Sequence, residues 1–329
     1  MRRGTALVAA LALDALVGDP QGLPHPVRSM GRLGLALESA ARRGLGDTRR
    51  AGAAAVAGVV ATAVGATLGL RSVARRVHPL AGDLAEVVLL WWTLAPRDLA
   101  DHALRVCRAL EAGDVHAARE RVSWMVGRDT KALDTAGVVR AAAESVAENT
   151  VDGVIAPLCF AAVGGAPLAM AYKAVSTLDS TFGFKDERYR EFGWAAARLD
   201  DVAASLPARI TPMFVVLAAA LRGERAAAAW RICRRDGRRH SSPNAGLAEA
   251  AFAGALGVQF GGPLWRGGEP VDSPLLGEPY EPLAPAVIRR AVGLMWASTA
   301  LFAGALFATL RFAGRCRARR HAAAIREAG

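Results

Sequence analysis

Three carboxylates, Glu144, Glu148 and Asp152, recur four residues apart in RAAAESVAENTVDGVIAP, residues 140–157. That spacing stacks side chains on one helical face, where like charges cost roughly a few tenths of a kcal/mol. The neighbours Ala141, Ala142, Ala143, Val146 and Ala147 are small and apolar, so this helix is expected to pack closely. Carboxylates held together in a packed setting call for a cation. Mg2+ suits them: it takes oxygen ligands, keeps several waters, and commonly uses one or two carboxylates beside substrate phosphates. Asn149 adds an amide. The alternative is a solvated face laced with salt bridges, but Arg140 preceding Glu144 is the weaker order for such a pair. Glu144, Glu148 and Asp152 are therefore read as metal ligands.

Further polar islands accompany this one. KAVSTLDSTFGFKDERY brings Lys173, Asp179 and Lys185, and ARLDDVAASLPARIT brings Arg198, Asp200, Asp201 and Arg209. Polar groups beside apolar runs are costly in a membrane and are functional candidates by default. HSSPNAG sets Asn244 in a rigid hydrogen-bonding turn, followed by small residues that admit a close neighbour. GDPQGLPHPVRSMGRL displays Asp19, His25 and Arg28 on a stiff, proline-rich segment. Of 41 basic residues only Lys131, Lys173 and Lys185 are lysine, and all three fall in the central block. A compact ammonium and a guanidinium differ where a point charge must meet a phosphate or carboxylate, which favours a functional role for them over chance placement.

These groups need a scaffold, and the composition points to lipid. The chain is 53% hydrophobic with only 22% charged residues, and its mean hydropathy is +0.23. Two uncharged runs, 51–70 and 292–310, reach the ~20 residues that a span requires. A third, 154–172, contains Pro157, Gly164, Gly165 and Pro167 and reads as a broken helix, tolerated where protein or a wet cavity satisfies the freed backbone. Weaker candidates are 5–17, 84–95 and 206–221. Residues 97–150 form a polar insert that starts as a helical hairpin expected to lie against the membrane surface. No β-alternation runs long enough for a sheet, so the fold expected is all-α, a multi-pass integral membrane helical bundle in a single domain.

The net charge of +11 is not matched by any zinc-finger, basic-zipper or RNP pattern, so no nucleic acid partner is expected. Arginine clusters flank the apolar runs instead. The positive-inside rule places the C-terminus and the loop 222–239 in the cytoplasm and leaves the N-terminus undecided. Four scattered cysteines support neither zinc nor a disulfide framework. Without a Walker P-loop, a dinucleotide fingerprint or a nucleophile elbow, any nucleotide is held by a nonstandard helical site.

Taken together, GDPQGLPHPVRSMGRL, VGRDTKALD, RAAAESVAENTVDGVIAPL, YKAVSTLDSTFGFKDERYREFGWAAARLDD, LPARIT and SPNAG resemble the CobD/CbiB family of cobalamin biosynthesis, the adenosylcobinamide-phosphate synthases. One departure is Ser176, where the family pattern has Asn. The resemblance implies a multi-pass enzyme of the cytoplasmic membrane with its active site facing the cytoplasm. It implies an amide ligase that joins the free propionate of adenosylcobyric acid to (R)-1-amino-2-propanol or its O-phosphate at the expense of ATP. Its partners would be the corrinoid, the aminopropanol, the lipid bilayer and other membrane-bound cobalamin-assembly enzymes. Such a reaction needs charge neutralisation and positioning more than a protein nucleophile. On this reading Glu144, Glu148 and Asp152 hold Mg2+ against ATP. Arg128, Lys131 and Lys173 neutralise phosphoryl oxygens, and Asp179, Asp200 or Asp201 receives the ammonium proton. Asn149, Lys185, Arg198, Asn244, Asp19 and His25 bind substrate or nucleotide. A transporter or signalling protein on a related scaffold is the competing class, since broken helices beside polar islands serve transport as well.

Overall fold

A computed structural model describes residues 1–20, 22, 25–184 and 186–327, with side chains to residue 316. In chain order the helices are α1 (Arg3–Val17), α2 (Pro26–Leu45), α3 (Arg49–Val77), α4 (Pro79–Trp91), α5 (Pro96–Glu111), α6 (Val115–Ser123) and α7 (Thr135–Thr150). A π-helical turn (Val151–Ile155) joins α7 to α8 (Ala156–Gly164), and α9 (Ala166–Phe182), α10 (Trp194–Leu221), α11 (Ala226–Asp236), α12 (Ala245–Leu256) and α13 (Pro285–Glu327) follow. Four helical stretches are long and apolar enough to cross a membrane: Arg49–Val77, Thr135–Gly164, Trp194–Leu221 and Pro285–Cys316. The all-α membrane bundle is therefore the observed class. Two small antiparallel pairs interrupt it, β1 (Gln259–Phe260) with β4 (Leu276–Gly277) and β2 (Leu264–Arg266) with β3 (Glu269–Val271). Strands this short carry no readable alternation.

Close packing follows from small residues. Along α3, Ala51, Ala55, Val59, Ala63 and Thr67 are buried, one ridge of four-residue steps. That helix packs against α2, α4 and α9. A Cβ on Gly52 would overlap the carbonyl of Phe192, so only glycine admits this approach.

The broken helix forms as its composition requires. Pro157 has no N–H, and the carbonyl of Gly153 that it would have served accepts from Ala95 N instead, at 3.0 Å. The turn widens, with Ala156 N bonding Val151 O. At Gly165, φ is +69°, which ends α8 and reverses the chain. The freed Ala166 N–H donates to Glu86 Oε1 at 2.9 Å, and Arg71 Nε holds the other oxygen of Glu86 at 2.5 Å. A buried ion pair thus satisfies the backbone of the break.

The buried apolar side chains fall into two main cores. One joins α5, α6, α7, α11, α12, the lower half of α10 from Val215 and the start of α13. The other joins α1, α3, α4, α8, α9, the start of α10 and Phe302 of α13. Two expectations change here. The hairpin of α5 and α6 does not lie free for a membrane surface to cover: Ala103, Val106 and Cys107 are fully buried, and α5 packs on α7 and α13. Nor is α7 part of a polar insert, for its interior is core. The arginine clusters also separate. A Cβ on Gly293 of α13 would meet the Arg222 guanidinium, and Arg290 bonds Glu224 at 3.0 Å. Far along the same helix, Phe307 and Leu310 lie against Gly4 of α1. A single crossing by α13 cannot put loop 222–239 and the C-terminal arginines on one side.

Candidate functional site

The seam between the two cores is polar. Along one continuous helical path Val146 and Ala147 belong to the first core and Val154 and Ile155 to the second, while Glu148, Asn149 and Asp152 fall between. Val151, Ala208 and Ala248 form a small cluster at the same level. The chain places its charges where apolar packing changes partners.

Several predicted residues converge on that seam. Glu148 lies in the electrostatic reach of Arg128, Glu144, Arg266 and Asp179. Asp152 is near Glu148, Lys173 and Asp179, and Tyr172 donates its hydroxyl to Asp152 Oδ1 at 3.4 Å. Lys173 faces Asp152 and Asp200, and Asp200 faces Asp152, Asp179, Asp201 and Glu148. Three elements supply these groups: the α7–α8 junction, the middle of α9 and the first turns of α10. Glu148 is exposed and Asp152 and Lys173 are half-exposed, so the three line a recess that water enters. A cavity of about 190 Å³ adjoins it, lined in part by Asp98, His102, Ser145, Asn149, Gly153 and Lys173. One buried acceptor, Asp200 Oδ1, has no hydrogen-bond partner.

Glu144 behaves differently. Its Oε1 accepts from Gly261 N at 2.6 Å, and its Oε2 lies 2.6 Å from Arg128 Nη2 without the alignment of a hydrogen bond. Arg140 Nη1 closes the same corner by donating to Gly261 O at 2.8 Å. The expected trio of metal ligands is therefore corrected: Glu144 is spent on fixing the loop at Gly261, and only Glu148 and Asp152 open to the recess. Among the described residues no group of three or more His, Cys, Asp or Glu side chains is arranged to hold a metal. Two carboxylates with room for water and phosphate still fit Mg2+, which seldom takes an all-protein cage.

The remaining candidates divide. Asn149 donates to Ser145 O at 2.9 Å and borders the cavity. Asn244 is buried; its Nδ2 donates to Asp201 O at 2.8 Å and ties the start of α12 to α10. Arg198 is exposed and stands 3.7 Å from Asp201. Lys131 is exposed, and among the described contacts nothing brings it to the recess. Lys185 lies outside the described residues. His25 caps α2, accepting from Val27 N through Nδ1, with Nε2 3.8 Å from Asp19. Burial pushes the His25 pKa down; Asp19 opposes this, and Lys173 and Arg28 add to it. The N-terminal island thus reaches the edge of the same field. Burial likewise pushes the Asp98 carboxyl up, against the pull of His102.

Sequence reasoning missed Glu249. It is buried on α12 within reach of Glu148, Glu144 and Arg128, and His240 Nε2 stands 4.0 Å from its Oε1. Its signal was legible: Glu249 is the only charge in AGLAEAAFAGAL. Tyr172, Asp98 and His102 were missed too, because ordinary residues in amphipathic or apolar helices give no spacing signal.

Fold and site define a helical membrane protein with an acid-rich, lysine-bearing recess at the junction of two cores. A family model described as CobD/Cbib protein matches residues 7–295. The cobalamin biosynthesis protein CobD of Geobacter metallireducens is 49% identical over 91% of this chain and 94% of its own length. CobD of Klebsiella pneumoniae is 46% identical over 93% and 97%, and CbiB of Salmonella typhimurium is 46% identical over 91% and 95%. The chain belongs to the CobD/CbiB family. No solved structure matches it.

Proposed function

We propose that this protein works in cobalamin biosynthesis as an ATP-dependent amide ligase, joining adenosylcobyric acid to (R)-1-amino-2-propanol or its O-phosphate. The observation that carries the reading is the convergence of Glu148, Asp152, Lys173, Asp179 and Asp200 on one water-accessible recess. The names of the relatives supply the pathway; the residues supply the chemistry. In the reaction, a propionate oxygen attacks the terminal phosphorus of ATP and ADP leaves. The amine nitrogen then attacks the acyl carbon and inorganic phosphate leaves.

Each residue has a task in that scheme. Glu148 and Asp152 would hold Mg2+, which when bound neutralises nucleotide phosphates. Lys173, placed between Asp152 and Asp200, neutralises a phosphoryl oxygen without needing a bidentate geometry. Asp200 and Asp179 attract the ammonium group and receive its proton before attack. Arg128 acts from behind, fixing Glu144 and lending positive potential to Glu148.

Purified protein in detergent is expected to consume ATP only when adenosylcobyric acid and the amino alcohol are both present. Glu148→Gln should lower amide formation by on the order of 10²–10³-fold while inserting and purifying normally. Substrate uptake into vesicles without ATP cleavage would overturn the ligase in favour of transport.

A further inference from the structure

A second charged region lies at the opposite ends of α3 and α13 from Arg49 and Pro285. Three cavities of about 300, 820 and 370 Å³ lie there, and the first shares a wall with each of the other two. Arg3 borders the first two, and Arg71 and Arg75 border the first and third. Arg2, Arg76 and Arg311 complete the rim. Two carboxylates are present, and both are taken: Asp83 by the Met1 amine at 2.7 Å and Glu86 by Arg71 at 2.5 Å. Among the described residues no carboxylate pairs with Arg2, Arg3, Arg75, Arg76 or Arg311. The start of α1 and the ends of α3 and α13 thus bring five guanidiniums without a carboxylate partner to this chain of cavities. Phe307 and Leu310 line the second cavity and Leu68 the third.

Arg3 Nη1 already donates to Val163 O at 2.6 Å, which holds one guanidinium at the turn between α8 and α9.

We propose that this groove binds the headgroup of an anionic glycerophospholipid. Its phosphate lies on the guanidiniums, whose paired N–H donors match phosphate oxygens, and its acyl chains run along Phe307, Leu310 and Leu68. The site is separate from the catalytic recess and does not rest on the ligase reading.

The test is native mass spectrometry of the detergent-purified protein titrated with phosphatidylglycerol, phosphatidylcholine or inorganic phosphate. Phosphatidylglycerol should be retained preferentially. The triple variant Arg75→Gln, Arg76→Gln, Arg311→Gln should bind it about a hundredfold more weakly, taking roughly 1 kcal/mol per arginine at 1.4 kcal/mol per tenfold. Lysine at the same three positions should retain most of the binding. Equal affinity for phosphatidylcholine, or unchanged affinity in the glutamine variant, would overturn the proposal. Inorganic phosphate binding as tightly as the lipid would assign the groove to free phosphate and overturn it too. If the triple variant fails to fold, Arg76→Gln alone, at an exposed position, and the lipid preference of the native protein decide the matter.

Discussion

Two glutamates one helical turn apart do opposite work here. Glu148 opens to the recess, whereas Glu144 is closed by Gly261 and Arg128. Changing each to alanine should separate function from stability. Glu148→Ala is expected to abolish ligation with an unchanged melting temperature. Glu144→Ala strands Arg128 and the Gly261 N–H, and should cost about 3–5 kcal/mol, as breaking a buried pair does. Thermal melting beside turnover reads both. A Glu148→Ala protein with full turnover would remove the metal site from the recess. The spacing of these acids was readable in sequence, since period alone sets a shared face. Which of them a loop would claim was not, because Gly261 lies 117 positions away and tertiary contacts at that range leave no local pattern. Lys173 was found through its rarity among arginines, and Glu249, equally conspicuous as a lone charge in an apolar helix, was overlooked.

Elements succeed or fail by how they satisfy their backbones. The break at Gly164–Gly165 depends on Glu86, which answers both the Ala166 N–H and the Arg71 guanidinium. Removing it in Glu86→Ala leaves a buried cation and an orphaned donor, and about 3–5 kcal/mol of stability should be lost. Loss of under 1 kcal/mol in a denaturation assay would show that water replaces the carboxylate. Two histidines give the loops beside the recess a pH response. Burial lowers the pKa of His25 among Asp19, Lys173, Arg28 and Asp98, and that of His240 beside Glu144 and Arg128. A depressed folded-state pKa means that the unfolded chain binds the extra proton first. Stability from these groups is therefore full above about pH 6.5, their ordinary value, and falls as pH drops below it. The melting temperature should decline between about pH 6.5 and 5, and the double variant His25→Asn, His240→Asn should flatten that decline. Asp98, raised by burial, acts in the contrary sense: its contribution to stability grows as pH falls from its raised folded value into the ordinary carboxylate range. Prolines and glycines announced the broken helix in the sequence because they remove donors and free φ. The strand pairs β1–β4 and β2–β3 went unannounced, since two or three residues cannot display a period.

At the scale of the whole molecule, α13 fixes the topology. It leaves the first core near Arg222 and Gly293 and reaches Gly4 through Phe307 and Leu310. Eighteen residues from Gly293 to Arg311 span about 27 Å, close to one bilayer core. If α13 crosses once, the α11–α12 side, which carries Asn244 and Glu249, lies across the membrane from the ends of α1 and α13. Arginines flank both ends of α13, so charge counting gives the C-terminus and loop 222–239 the same side, whereas a crossing by α13 would separate them. If ATP serves the recess, the α11–α12 side faces the cytoplasm and the C-terminus faces away. A reporter active only outside the cytoplasm should be active when fused after residue 329 and silent when inserted at Gly223, an exposed turn. A reporter at the N-terminus should agree with the one at the C-terminus, because Gly4 and Leu310 touch. Equal readings from Gly223 and the C-terminus would mean that α13 does not cross.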